Sequence, residues 1–406
     1  MLAIRFHYRP IRYLLTRWVG AGRSGFGVSR LGCVSLDEVE PPALPGQDWV
    51  RIEPTLSGVC GSDLAAIAAH DSFTLEPFGA YPFTFGHENV GRIVETGSAA
   101  RGFAVGDAVV VNPMLACAQR GLDPACAACA RGEYGLCRRT TEGRIGGGPM
   151  IGYCPGTGGG WSGTFVAHPS QLHRAGDLMA DVAVLADPLA SALRPVLLHP
   201  PSDSDTVVVV GAGTIGALTV RSLRATGWHR PIAVLGRYPF QLELAERAGA
   251  TVLLKSRDEL YQWASGLPGA QAFKPSLAPR FVEGGPSLIY DTVGSEATVR
   301  DCLALCREGG RIVLVGNAAR VSADWTRVWY RQLTVAGIFA YGSARYHGQN
   351  CEIYEAALDL LRQGGFGDLG MVTHTFALED YRAALATALD KSGQRSIKVA
   401  FRPSAG

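Results

Sequence analysis

The chain has 406 residues, 47% of them hydrophobic and 18% charged, with a net charge of +2. That length supports two domains and a large core. The balance of charge excludes a bulk electrostatic affinity for nucleic acid or for an acidic membrane surface.

The first 36 residues hold six arginines, from Arg5 to Arg30, and no acid. A transit peptide has this composition. The partial alternation of LAIRFHYRPIRYLLTR instead predicts a first pair of β-strands. From there to about residue 190 short strands such as NVGRIVETG and GDAVVVNP are punctuated by Gly and Pro, which predicts an antiparallel, barrel-like domain.

From residue 206 the pattern changes. TVVVVGAG, PIAVLG, SLIYDTVG and RIVLVG read as buried strands, with QLELAERAG and TVRDCLALC as helices between them. Apolar runs bounded by glycine and separated by helices predict a parallel sheet. Residues 266–287, rich in Gly and Pro, read as a long loop. The tail supplies helix EIYEAALDLLRQG, strand MVTHTF, helix LEDYRAALATAL and strand SIKVAF. The longest apolar run, TVVVVGAGTIGALTV, is shorter than the ~20 residues of a spanning helix.

Gly211-Ala212-Gly213-Thr214-Ile215-Gly216 follows a strand and opens a helix, which is the context of a dinucleotide-binding turn. Gly211 permits the tight turn, Gly213 the approach of a pyrophosphate and Gly216 close packing. An NAD site usually has an acid at the end of the second strand. Here that position is Gly236, followed by Arg237. The missing carboxylate and adjacent guanidinium predict NADP(H), unless Arg237 is only a solvated loop residue.

SGVCGSD (57–63) and FGHENVG (85–91) bring Cys60, Ser62, His87 and Glu88, of which a thiolate and an imidazole are good zinc ligands. Alone, Cys60 is more commonly a buried apolar residue and His87-Glu88 structural. Four further cysteines, Cys117, Cys126, Cys129 and Cys137, cluster in CAQRGLDPACAACARGEYGLC. Their spacing suits a closed tetrathiolate zinc site. Disulfides fit less well, because the other cysteines show no pairing pattern. A nucleic-acid finger is disfavoured because ARGEYGL lacks a basic face.

Taken together, VCGSD, GHENVGRIVETGS, GDAVVVNP, the cysteine cluster, GAGTIG and GGRIVLVG resemble the zinc-dependent medium-chain alcohol dehydrogenases over nearly the whole chain. The resemblance implies an α/β protein: a GroES-like β-barrel catalytic domain (residues 1–191 and 346–406) and a Rossmann-type doubly wound parallel sheet (192–345). It implies Cys60 and His87 as fixed ligands of a catalytic zinc, with Glu88 exchanging with water.

LADPLASAL matches the acidic ligand motif of polyol and threonine dehydrogenases. Asp187 is then either the third fixed ligand or a helix cap before Pro188. In the family the cysteine lobe runs C-x2-C-x2-C-x7-C; this chain carries six extra residues after Cys117. Ser62 occupies the proton-relay position. The histidine that many relatives place five residues after the ligand cysteine is Ala65, and His70 is the nearest one.

The expected reaction is hydride transfer between NADP(H) and a medium-sized, partly apolar alcohol or aldehyde. Phe73, Tyr81, Phe83, Phe85 and Trp161 either line its pocket or belong to the core. The expected assembly is a homodimer or homotetramer joined through LTVAGIF (333–339). Of the 38 basic residues 34 are arginine, a usage associated with GC-rich bacteria, and the expected location is the cytoplasm. The competing readings are a zinc-independent enone or quinone reductase on the same fold, and a non-catalytic cofactor-binding protein.

Overall fold

A computed structural model describes residues 1–19, 25–339 and 341–403. It divides into two compact units. The first comprises Met1–Asp187, Tyr341–Ser343 and the chain from Tyr354 onward; the second comprises Pro188–Ala340 and Ala344–Ile353.

In the first unit, a sheet runs in the order Val372–Phe376, Lys398–Phe401, Val50–Gly58, Glu88–Thr96, Ala108–Val111 and Leu172–Arg174, with Phe165–Ala167 also paired to Val50–Gly58. Val50, Ile52 and Leu56 are buried while Glu53 is exposed, the period-2 pattern of a half-buried strand. The alternation stops at Leu56, and Ser57 and Gly58 are buried as well. Gly58 is the register partner of Glu88. That pairing fixes the functional site, because Cys60 lies two residues beyond Gly58 and His87 one residue before Glu88.

A smaller sheet has the order Val34–Glu38, Leu2–Phe6, Phe83–Thr84. Only the first five residues of LAIRFHYRPIRYLLTR, Leu2–Phe6, form a strand, which corrects the expected strand pair. Pro10–Val19 is an α-helix, and the partner of Leu2–Phe6 is Val34–Glu38, with Ile4 opposite Leu36. Pro10 suits a first helical position, where no amide hydrogen is needed. Tyr13 and Thr16 face inward while Ile11 and Trp18 stay exposed. Phe6, Phe83, Phe85, Trp161 and Phe401 form the aromatic heart of one core cluster.

The second unit is built on six parallel strands in the order Val252–Leu254, Ile232–Leu235, Val207–Val210, Leu288–Asp291, Arg311–Leu314, Thr334–Gly337. The chain runs outward from Val207–Val210 through Ile232–Leu235 to Val252–Leu254, then crosses back to Leu288–Asp291 on the other side of Val207–Val210 and runs outward again, a doubly wound arrangement. All four valines of Val207–Val210 are buried, so this strand is covered on both faces. The stretch predicted as a long loop contains a hairpin: Gln271–Phe273 pairs with Phe281–Glu283, and Phe273 stacks on Phe281 at 5.2 Å. Among the described residues no helix is long and apolar enough to cross a membrane.

Candidate active site

Cys60 ends the turn after the Val50–Gly58 strand and precedes the short helix Gly61–Ile67. His87 leads into the Glu88–Thr96 strand. Ligand atoms of Cys60, His87 and Glu88 lie within 4.8 Å of one another. His87 and Glu88 are 3% and 1% exposed. Their donors are a thiol, an imidazole and a carboxylate, the set that zinc takes, and they fit such an ion.

Asp63 organises this group. Its Oδ2 accepts the Cys60 amide at 2.9 Å, and its Oδ1 lies 3.3 Å from His87 Nδ1. A carboxylate beside Nδ1 leaves Nε2 as the ligand nitrogen. Tyr153, half-buried, donates to Asp63 Oδ1 at 2.9 Å and stands 3.5 Å from Ser62 Oγ. Burial and the nearby Asp63 charge push the Tyr153 hydroxyl well above its ordinary pKa, so it stays protonated.

Glu88 meets Lys398, whose Nζ is 2.7 and 2.6 Å from the two carboxylate oxygens and 3.3 Å from the Val59 carbonyl. Burial opposes the ammonium charge, but Glu88 overrides it and holds the Lys398 pKa above the usual lysine value.

Asp187 stands apart from the converging three. It lies in the first turn of helix Ala186–Leu198 and is 4% exposed. Its Oδ2 accepts hydrogen bonds from Tyr341, at 3.0 Å, and from Tyr354. Burial raises its pKa to about 6, against the pull of His87 and the two phenols.

Ser62 is half-buried beside Tyr153, whereas His70 is exposed. Phe83, Phe85 and Trp161 are 4%, 0% and 0% exposed and packed among core aromatics; Phe73 and Tyr81 are 48% and 40% exposed. Asp63 sits inside the VCGSD motif, where helix-start capping could have flagged it. Tyr153, Tyr341, Tyr354 and Lys398 give no such local signal.

The other four cysteines converge as a second group, with all ligand atoms within 4.8 Å of one another. Cys117 Sγ and Cys137 Sγ are 3.8 Å apart. Thiolates at ~2.3 Å on the corners of a zinc tetrahedron stand about 3.8 Å apart, so the group fits this ion. The backbone amides of Cys129 and Arg138 draw the Cys126 thiol down to about 6, whereas burial pushes Cys129 and Cys137 upward. The extra residues after Cys117 are anchored. Arg120, 1% exposed, donates to the carbonyls of Leu115, Glu142, Gly146 and Gly148.

In the second unit Gly211 has φ +104°, a conformation that a side chain disfavours. A Cβ on Gly216 would lie 1.9 Å from the Gly211 carbonyl oxygen, whereas one on Gly213 would meet nothing within 4 Å. The turn is therefore tight beneath and open above Gly213, Thr214 and Ile215, where helix Thr214–Ala225 begins. Its free amides suit a pyrophosphate. Gly236 ends the second strand, and a Cβ there would come within 2.6 Å of Leu242 and 2.7 Å of Ala212. Arg237 is exposed, its guanidinium 5.5 Å from the Tyr238 ring centre.

Residues 46–177 match the family model of the alcohol dehydrogenase GroES-like domain, and residues 214–365 that of the zinc-binding dehydrogenase domain. The chain is 29% identical over 368 residues to an L-threonine 3-dehydrogenase of Streptomyces coelicolor, covering 89% of this chain and 94% of that one. It is 28% identical over 382 residues to an erythritol/L-threitol dehydrogenase of Mycolicibacterium smegmatis, covering 91% and 94%. The crystal structure of 2R,3R-butanediol dehydrogenase from Bacillus subtilis shares the fold, with a TM-score of 0.71, 23% identity and full coverage of both chains.

Proposed function

Since the chain belongs to the zinc-dependent medium-chain alcohol dehydrogenases and is an alcohol oxidoreductase that uses zinc and a nicotinamide cofactor, we propose that it oxidises a secondary alcohol flanked by a second polar group, or reduces the matching ketone, with NADP(H). The observation that carries this reading is the convergence of Cys60, His87 and Glu88 at one end of a two-strand register. The substrate class follows the names of the relatives, since threonine and the four-carbon polyols carry a hydroxyl beside another polar substituent. The packing of Phe83, Phe85 and Trp161 into the core supports it, because it removes most of the aromatic wall that an apolar substrate would need.

Cys60, His87 and Asp187 would hold the catalytic zinc, with Glu88 as the exchangeable fourth group; Cys117, Cys126, Cys129 and Cys137 would hold a structural one. Bound there, the catalytic ion would supply Lewis acidity toward an alcohol oxygen and the nicotinamide would be the hydride acceptor. Asp63 keeps the His87 ring oriented. Ser62 Oγ takes the alcohol proton. Tyr153, whose hydroxyl lies 2.9 Å from Asp63 Oδ1 and 3.5 Å from Ser62 Oγ and stays protonated, holds the Ser62 hydroxyl in place and carries no proton itself. With alanine at position 65 and His70 exposed, Ser62 passes its own proton to water or the cofactor ribose in place of a histidine relay. Gly236 and Arg237 would receive the 2′-phosphate of NADP. Strand Thr334–Gly337 forms one edge of the parallel sheet, which favours self-assembly by edge pairing into a dimer or tetramer. The cytoplasm remains the proposed location.

The test is metal removal. Zinc stripped by a chelator should abolish NADP-dependent oxidation of vicinal diols and amino alcohols, and added zinc should restore it. Full activity of metal-free protein would instead support the zinc-independent reductase.

A further inference from the structure

Besides Asp63, two buried carboxylates, Glu88 and Asp187, lie near the Cys60–His87 pair, and they are satisfied differently. Both oxygens of Glu88 face the Lys398 ammonium, so its charge is already balanced. Asp187 has only neutral donors: among the described residues no lysine or arginine pairs with it, and two phenols meet on Oδ2. A carboxylate oxygen has two lone-pair directions. Tyr341 and Tyr354 occupy both on Oδ2 and leave those of Oδ1 open.

We propose that Tyr341 and Tyr354 are positioning residues for the catalytic metal, a two-phenol clamp that pins Asp187 through Oδ2 and reserves Oδ1 as a single-oxygen ligand. This rests on the reading of Asp187 as the third ligand. The clamp is itself held rigidly. Tyr341 and Tyr354 are 3% and 0% exposed. Their rings stack at 6.2 Å, and Tyr354 stacks on His173 at 5.6 Å. Tyr354 belongs to helix Ile353–Gln363. The Asp187 carboxylate lies outside the Cys60–His87–Glu88 convergence yet within electrostatic reach of His87 and Glu88. Held at Oδ2, it approaches an ion only by turning about that oxygen. The phenols thereby favour one-oxygen over two-oxygen coordination. They also keep a buried carboxylate, to which no lysine or arginine is hydrogen-bonded among the described residues, ready for a divalent ion.

The experiment compares wild-type protein with Y341F, Y354F, the double phenylalanine variant and D187N. Zinc affinity at the catalytic site is measured by chelator competition, and cobalt-substituted protein reports the ligand set by its visible absorption. Each single phenylalanine variant should weaken zinc about tenfold and the double variant more, as loss of a partner behind a ligand does. Their cobalt spectra should shift while staying four-coordinate in intensity. D187N should weaken zinc further and change the band pattern. Wild-type affinity and spectrum in the double variant, with D187N impaired, would overturn the clamp alone. Wild-type behaviour in D187N would overturn the ligand assignment beneath it. Melting of the metal-free proteins separates either result from misfolding.

Discussion

Lys398 Nζ spans both carboxylate oxygens of Glu88, at 2.7 and 2.6 Å, with the two side chains 4% and 1% exposed. A pair this deep is costly to break on one side, because the surviving charge stays in a medium that solvates it poorly. Lys398→Met is expected to lose about 3–5 kcal/mol of stability by urea denaturation. Adding Glu88→Gln should recover much of that loss. A single variant as stable as wild type would show that Glu88 finds another partner.

Arg120→Met tests the cysteine lobe. The guanidinium donates to four carbonyls from three separate turns. Their loss at ~1 kcal/mol apiece amounts to about 3–4 kcal/mol of local stability. Zinc per chain should fall from two toward one, and the segment 117–146 should become sensitive to protease, while the catalytic-site cobalt spectrum stays unchanged.

Cofactor choice is tested at Arg237. Arg237→Ser should lower kcat/KM for NADPH about 10–100-fold, the scale of a lost charge-assisted pair, and change that for NADH little. Gly236→Asp is expected not to yield an efficient NAD enzyme, because the new Cβ collides with Leu242 and Ala212 before any carboxylate can reach a ribose. Steady-state kinetics with both cofactors decides the matter.

His173 sets an acid limit on stability. Burial, reinforced by the Arg362 guanidinium, pushes it down to about 4 from an ordinary value near 6.5. Between these values the unfolded chain binds a proton that the folded chain refuses. Stability therefore falls as pH drops from about 6.5 to about 4, by about 3 kcal/mol, and levels off from this cause below that. His173→Phe keeps the ring against Tyr354 and should flatten this part of the stability–pH curve, measured by denaturant melts between pH 4 and 7.

Features carried by local pattern were legible in the sequence. The strand–glycine–helix turn, the buried valine run and the cysteine spacings each lie within a few residues and imply their neighbours directly. The helix Pro10–Val19 was hidden because its apolar residues partly alternate, and a mixed period does not choose between strand and helix. The hairpin at Gln271–Glu283 was hidden because its strands have three residues each. The partners of the candidate ligands had no local signature. Lys398 lies 310 positions from Glu88, and Tyr341 and Tyr354 lie 154 and 167 from Asp187. Each looks like an ordinary strand, turn or helix residue until the chain closes on itself.

That closure has a consequence for biosynthesis. Cys60, His87, Glu88 and Asp187 leave the ribosome well before Tyr354 and Lys398, which neutralise or restrain them. Until those two side chains are in place, Glu88 and Asp187 lack partners that the folded chain gives them. The set of contacts around these side chains is complete only with Lys398–Phe401 paired beside Val50–Gly58. An ion offered before that pairing would meet separate donors, and one offered after it the assembled set.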